Sequence, residues 1–93
     1  MPQKGIDLKS KKLLRDMVGR LKPAIFYSFL ESIMSSAEIK DISRRLMAAK
    51  LLKEKSTYEE IIEIMGMSES TVNKIHFKTK GSPTINKLLN KKN

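Results

Sequence analysis

Apolar residues recur along this chain at intervals of three and four, and no stretch alternates apolar with polar residues for long. Helical geometry brings positions i, i+3, i+4 and i+7 onto one face, so the pattern predicts an all-α domain of about six helices. The first runs from about Ser10 to Leu21, with Leu13, Leu14, Met17, Val18 and Leu21 on its apolar side. Pro23 breaks it and can open the next, because the ring lacks an amide donor and fixes a φ suited to a first helical turn. That second helix, about Pro23 to Met34, is the most apolar, with Ile25, Phe26, Phe29, Leu30 and Ile33 in register and Tyr27 and Met34 widening the face. Ser35 with Glu38 has capping-box spacing and starts a long helix to about Lys53. Its stripe is Ile39, Ile42, Leu46, Ala49 and Lys53, broadened by Met47, Leu51 and Leu52.

The stretch Tyr58 to Lys78, YEEIIEIMGMSESTVNKIHFK, carries two shorter periodic segments around one glycine. Ile61, Ile62 and Met65 precede Gly66, and Val72 and Ile75 follow it. A left-handed residue just past a helix end favours glycine, so Gly66 turns the chain sharply between two helices that share a core. The spacing is that of a helix-turn-helix. Ser56 with Glu59, or Thr57 with Glu60, can form the capping box of the first helix, and Ser68 can cap the second. Lys80, Gly81, Ser82 and Pro83 then make a turn in which Gly81 ends one helix, Ser82 caps the last and Pro83 takes its first position. Ile85, Leu88 and Leu89 pack that helix down, and Asn90 to Asn93 is expected to be a frayed basic tail.

At 93 residues the chain is expected to be a single domain: residues 1–56 as dimerisation helices, 57–79 as the helix-turn-helix and 82–93 as the C-terminal helix and tail. With no cysteine there is neither a disulfide framework nor a thiolate metal site, and one histidine cannot hold zinc alone. No cofactor or metal is expected. Nor is there an apolar run long enough to span a membrane or serve as a signal peptide, so the expected location is the cytoplasm, at the bacterial nucleoid.

Charge gives the motif a side. Residues 1–22 carry +5, 23–56 +2, 57–69 −4 and 70–93 +6 of the net +9. The first helix of the motif bears Glu59, Glu60 and Glu63, whereas the chain after residue 69 bears only positive charge. A polyanion should approach the second helix, where lysines can displace the counterions of phosphates. Double-stranded DNA is the expected partner. If Val72 and Ile75 face inward, then Glu69, Ser70, Asn73, Lys74 and Phe77 face outward, with the N-terminal ones deepest in a major groove. Glu69, Ser70, Asn73 and Lys74 are therefore the candidate base contacts. Asn73 is the best of them, since its amide donates and accepts at once as the adenine edge requires. Glu69 can accept from cytosine, although its charge repels phosphate and capping or solvation suits it equally. Arg44, Lys53, Ser68, Thr71, Lys78 and Lys80 are the candidate phosphate contacts, through charge, hydroxyls or helix-end amides. His76 reads as a packed or surface histidine, having no second ligand or carboxylate to work with.

The block Glu38 to Ile75, with RRLMAAKLL on the long helix, STYEEI leading into the motif and MGMSESTV at its turn, resembles the tryptophan repressor superfamily, in particular its short Trp-repressor-like bacterial branch. Trp repressor is itself one of the proteins from which recognition-helix docking is known. The resemblance implies an all-helical, intertwined homodimer that presents two reading heads to a palindromic operator. It also implies a corepressor pocket, whose positions here are Arg44, Thr71 and Lys74. Lys74 stands where the tryptophan-sensing members have a second arginine, losing the flat guanidinium that stacks on an indole. Ile75 stands where they have glycine and fills the space of the ring, so tryptophan is not expected and the small-molecule effector is left unknown.

The reading is a sequence-specific, homodimeric, duplex-DNA-binding transcriptional regulator. The alternatives are a nonspecific nucleic-acid-binding basic protein, which only a specificity ratio at fixed salt would separate, or a helical protein-interaction module docking through the Pro23 to Met34 face. No nucleophile–base pair, phosphate-cradling glycine loop or metal spacing supports an enzyme.

Overall fold

The computed structural model describes residues 3–90. Among them lie a single-turn 3-10 helix (Pro23–Ile25) and six α-helices: α1 (Ile6–Gly19), α2 (Phe26–Ile33), α3 (Ser36–Lys53), α4 (Tyr58–Met65), α5 (Glu69–Lys80) and α6 (Pro83–Asn90). The fold is all-α, with α4 and α5 as a helix-turn-helix. Residues 91–93 of the expected tail lie outside the described residues. None of the described helices is long and apolar enough to cross a membrane. The described residues divide into two compact units between Ser35 and Ser36.

In the first unit, α1 begins four residues before the expected Ser10. Gly5, left-handed at φ 79°, precedes it, and Asp7 lies in the first turn, where a negative charge suits the helix dipole. Ser10 is inside the helix and donates its hydroxyl to the Ile6 carbonyl at 2.8 Å. The other end stops at Gly19, two residues short of Leu21, because Lys22 before Pro23 is forced to extended backbone (φ −95°, ψ 148°). Pro23 opens only the 3-10 turn, so α2 starts at Phe26. Neither α1 nor α2 contains a buried residue. Leu13, Leu14, Met17, Val18, Ile25 and Phe26 are all exposed, while Leu21, Phe29, Leu30 and Met34 are half-buried.

The second unit has a closed core. Ala48 and Ala49 of α3, Ile61 and Met65 of α4, and Val72 and Ile75 of α5 form one buried cluster, flanked by Leu51, Leu52, Tyr58, Ile62, Met67 and Leu89. The paired alanines bring the α3 backbone close to both motif helices. Ile61 and Val72 are completely buried, and each such aliphatic side chain contributes about 1.5–3 kcal/mol through removal from water. On α3 only part of the anticipated stripe is covered: Ile42, Leu46 and Met47 remain exposed.

The turns set the angles between these helices. At the end of α3 the Ser56 amide donates to the Leu51 carbonyl and the Lys55 amide to Leu52, both at 3.0 Å, with Lys55 left-handed at φ 66°. This is the Schellman arrangement, with a lysine where glycine is usual. Of the two capping boxes open to α4, the structure forms Thr57 with Glu60: the Thr57 hydroxyl accepts from the Glu60 amide at 3.2 Å, and the Glu60 carboxylate accepts from the Thr57 amide at 2.8 Å. Gly66 closes α4 at φ 65°, its amide donating to Ile62. Before α6, the Ser82 hydroxyl accepts from the Ile85 amide at 3.1 Å, with Pro83 in the first helical position.

Candidate nucleic-acid interface

Helix α5 is amphipathic in the sense a recognition helix requires. Val72 and Ile75 face the core, and Glu69, Ser70, Asn73, Lys74, Phe77 and Lys78 are exposed. The turn at Gly66 fixes the N-terminal end of α5 against α4, and Ser68 finishes it. The Ser68 hydroxyl accepts from the Thr71 amide at 3.2 Å and lies 2.9 Å from Thr71 Oγ1 and 3.3 Å from Ser70 Oγ. The three hydroxyls thus gather at the tip of the helix. Behind them, Glu59, Glu60 and Glu63 lie exposed on α4; ahead lie Lys74, Lys78 and Lys80 on α5.

Glu69, Ser70 and Asn73 line one shallow cleft together with Tyr58. Asn73 is held there: the Tyr58 hydroxyl donates to its Oδ1 at 3.2 Å. That hydroxyl is also 2.8 Å from Nδ1 of His76, and the Tyr58 and His76 rings meet edge to face at 5.8 Å. His76 is half-buried, packed as expected, but its partner is a tyrosine at the first position of α4. Nothing in the apolar spacing singles out Tyr58, since the contact depends on how α4 and α5 cross.

A second hollow is lined by Arg45, Thr71, Lys74, Ile75, Lys78 and Thr79. Arg44 does not join Thr71 and Lys74; its guanidinium donates to the carbonyl of Met65, the last residue of α4, and is half-buried there. One residue along a helix rotates the side chain by about 100°, so Arg45 meets the hollow while Arg44 binds a carbonyl that the end of α4 leaves without an intrahelical donor. That bond uses one of the five donors of the Arg44 guanidinium. Arg45 is exposed and pairs with Asp41 at 3.2 Å, one turn back on α3. Ile75 lines the hollow from below while being 6% exposed and part of the core.

Lys53 lies at another edge, half-buried, with Nζ 3.4 Å from Oδ1 of Asn86 on α6. It lines a small hollow with His76, Thr79, Lys80, Ile85 and Asn86. Lys80 in turn stands 4.5 Å over the ring of Phe77, which keeps an exposed aromatic residue beside a cation. The Glu60 carboxyl is held below the usual carboxylate range, first by the Thr57 amide and then by the Thr57 hydroxyl.

The family model for the Trp repressor protein matches residues 10–93, taking in the N-terminal helices as well as the motif. No curated protein and no solved structure matches the chain. The match covers most of the chain and agrees with the six helices and the turn at Gly66, and its family consists of helix-turn-helix DNA-binding regulators rather than enzymes. The chain therefore belongs to the Trp repressor family.

Proposed function

We propose that the protein is a homodimeric transcriptional regulator that binds duplex DNA sequence-specifically through α5. The observation that carries this reading is the division of α5 itself. Val72 and Ile75 are buried, while Ser70, Asn73, Lys74 and Lys78 are exposed on a basic helix set across a left-handed glycine from an acidic one. Ser70, Asn73 and Lys74, with Glu69 at the tip, are assigned to base edges. Ser68, Thr71, Lys78 and Lys80 are assigned to phosphates, with Lys53 at the outer edge, so these groups set affinity and salt dependence more than sequence.

The second copy is invoked for the apolar residues of α1 and α2, which a single chain leaves in water. Two copies related by a two-fold axis present two α5 helices about one turn of DNA apart, which calls for a palindromic site. The regulator works in the bacterial cytoplasm at the nucleoid, without tryptophan. Ile75 lines the hollow shared by Thr71 and Lys74, and Lys74 offers no flat guanidinium to stack on an indole.

An unbiased duplex-binding selection at fixed salt, run with and without tryptophan, tests the proposal. The expected result is one two-fold-symmetric sequence, unchanged by tryptophan. Failure to enrich any sequence would replace it with nonspecific nucleic-acid binding, and enrichment only with tryptophan would show that Ile75 does not block the pocket.

A further inference from the structure

Asn73 is the exposed amide of α5, and its Oδ1 accepts from the Tyr58 hydroxyl at 3.2 Å. A carboxamide on a free surface turns over easily, exchanging its donor and acceptor ends at almost no steric cost. Such a group fits either order of donors and acceptors on a base edge and discriminates little. We propose that Tyr58 is a positioning residue that locks the Asn73 amide in one orientation, making Asn73 a one-way base reader; this rests on α5 being the recognition helix.

The hydrogen-bond chain Asn73–Tyr58–His76 couples the orientation of the amide to the tautomer of His76. A phenol has one proton to donate. Because it goes to Asn73 Oδ1, the 2.8 Å contact between Tyr58 Oη and His76 Nδ1 has to be donated by the imidazole, which assigns the His76 proton to Nδ1. Turning the amide over would set Nδ2–H against the Tyr58 O–H, donor to donor, unless His76 gave up that proton. One Oδ1 lone pair remains, so the locked amide can still offer an acceptor and a donor to a base edge in a single order, as adenine requires. Tyr58 is itself fixed. It is half-buried against the core, edge-on to His76, and begins α4 directly after the Thr57 cap. Glu69, the charged residue sharing the cleft, bears only acceptors and cannot take over the hydroxyl's role.

Tyr58→Phe removes the hydroxyl and keeps the packed ring. Base preferences would be measured by duplex selection for the wild type, Tyr58→Phe and Asn73→Ala, the last locating the base pair that Asn73 reads. At that pair the preference should fall by roughly tenfold in Tyr58→Phe, as expected when an oriented two-bond contact is lost. Other positions, the salt slope and the melting curve should stay as in the wild type. The nitrogen resonances of His76 give a second readout: a proton on Nδ1 in the wild type, lost from that atom in Tyr58→Phe. Unchanged base preference in Tyr58→Phe, or a neutral His76 protonated only at Nε2, would overturn the inference while leaving sequence-specific binding intact. A wild type that enriches no sequence would instead overturn the functional reading, and base reading by Asn73 with it.

Discussion

Asn73 and Lys78 are both exposed on α5 but offer different chemistry to a duplex, and their substitutions should separate accordingly. Truncating Asn73 to alanine removes a directional pair of hydrogen bonds, so base preference at one position should relax by about 1–3 kcal/mol while the salt slope stays nearly constant. Lys78→Ala should weaken binding to all sequences alike and lower the salt slope by about 1, the signature of one lost phosphate contact. Uniform loss in both variants, measured across salt concentrations, would mean that the reading face has been misassigned. Lys55 poses a question of stability instead. At φ 66° its side chain crowds the backbone, a strain glycine avoids, so Lys55→Gly should stabilise the fold by ~1 kcal/mol in urea unfolding. A lower midpoint would show that the lysine side chain contributes more than its backbone costs. The sequence identified the outward residues of α5, because period and charge specify a face. It did not identify the Tyr58–Asn73 contact or the bond from Arg44 to the Met65 carbonyl, because those contacts depend on interhelical placement to within one residue's rotation.

At the scale of elements, local signals succeeded wherever the governing interaction spans only a few residues. Gly66, Ser68 and Ser82 act at the helix ends where their spacing puts them. The start of α1 lies four residues ahead of the expected Ser10, which sits inside the helix and bonds four residues back. The Thr57–Glu60 box also ties α4 to pH. Hydrogen bonds from Thr57 stabilise the ionised Glu60 and lower its folded pKa below that of the unfolded chain. Stability from this pair is then complete above the unfolded value and is lost as pH falls through the folded one. Glu60→Gln should therefore flatten the acid side of a melting-temperature profile between the ordinary carboxylate range and more acid pH, with little change near neutrality, because Gln can still accept from the Thr57 amide. An equally steep acid limb in Glu60→Gln would assign that limb to other carboxylates. Thr57→Ala, which removes the hydroxyl half of the box, should cost ~1 kcal/mol.

At the scale of the molecule, the contrast between the two units leads to assembly. Helices α3 to α6 enclose a core, whereas α1 and α2 bury nothing completely and leave Leu13, Leu14, Met17 and Val18 between 44% and 62% exposed. Ordering a helix costs about 1–2 kcal/mol per residue in backbone entropy, and apolar burial is the main offset. A 14-residue α1 that stays half wet has little of that offset. In the proposed dimer a second copy would supply the missing cover, so the protein should sediment as a dimer at micromolar concentrations. Leu14→Glu tests this sharply, because the two states differ in what they predict for one exposed leucine. If Leu14 remained in water, the substitution should change stability by no more than about 0.5 kcal/mol and leave mass unaltered. If a partner covers it, burying an uncompensated carboxylate costs several kcal/mol, and the variant should sediment as a monomer whose α4–α5 motif stays folded. Such a monomer should bind a half-site with about half the salt slope of the dimer on the full palindrome, since it neutralises half as many phosphates. A wild type that is monomeric, or a Leu14→Glu variant that is dimeric with an unchanged slope, would refute two-copy recognition.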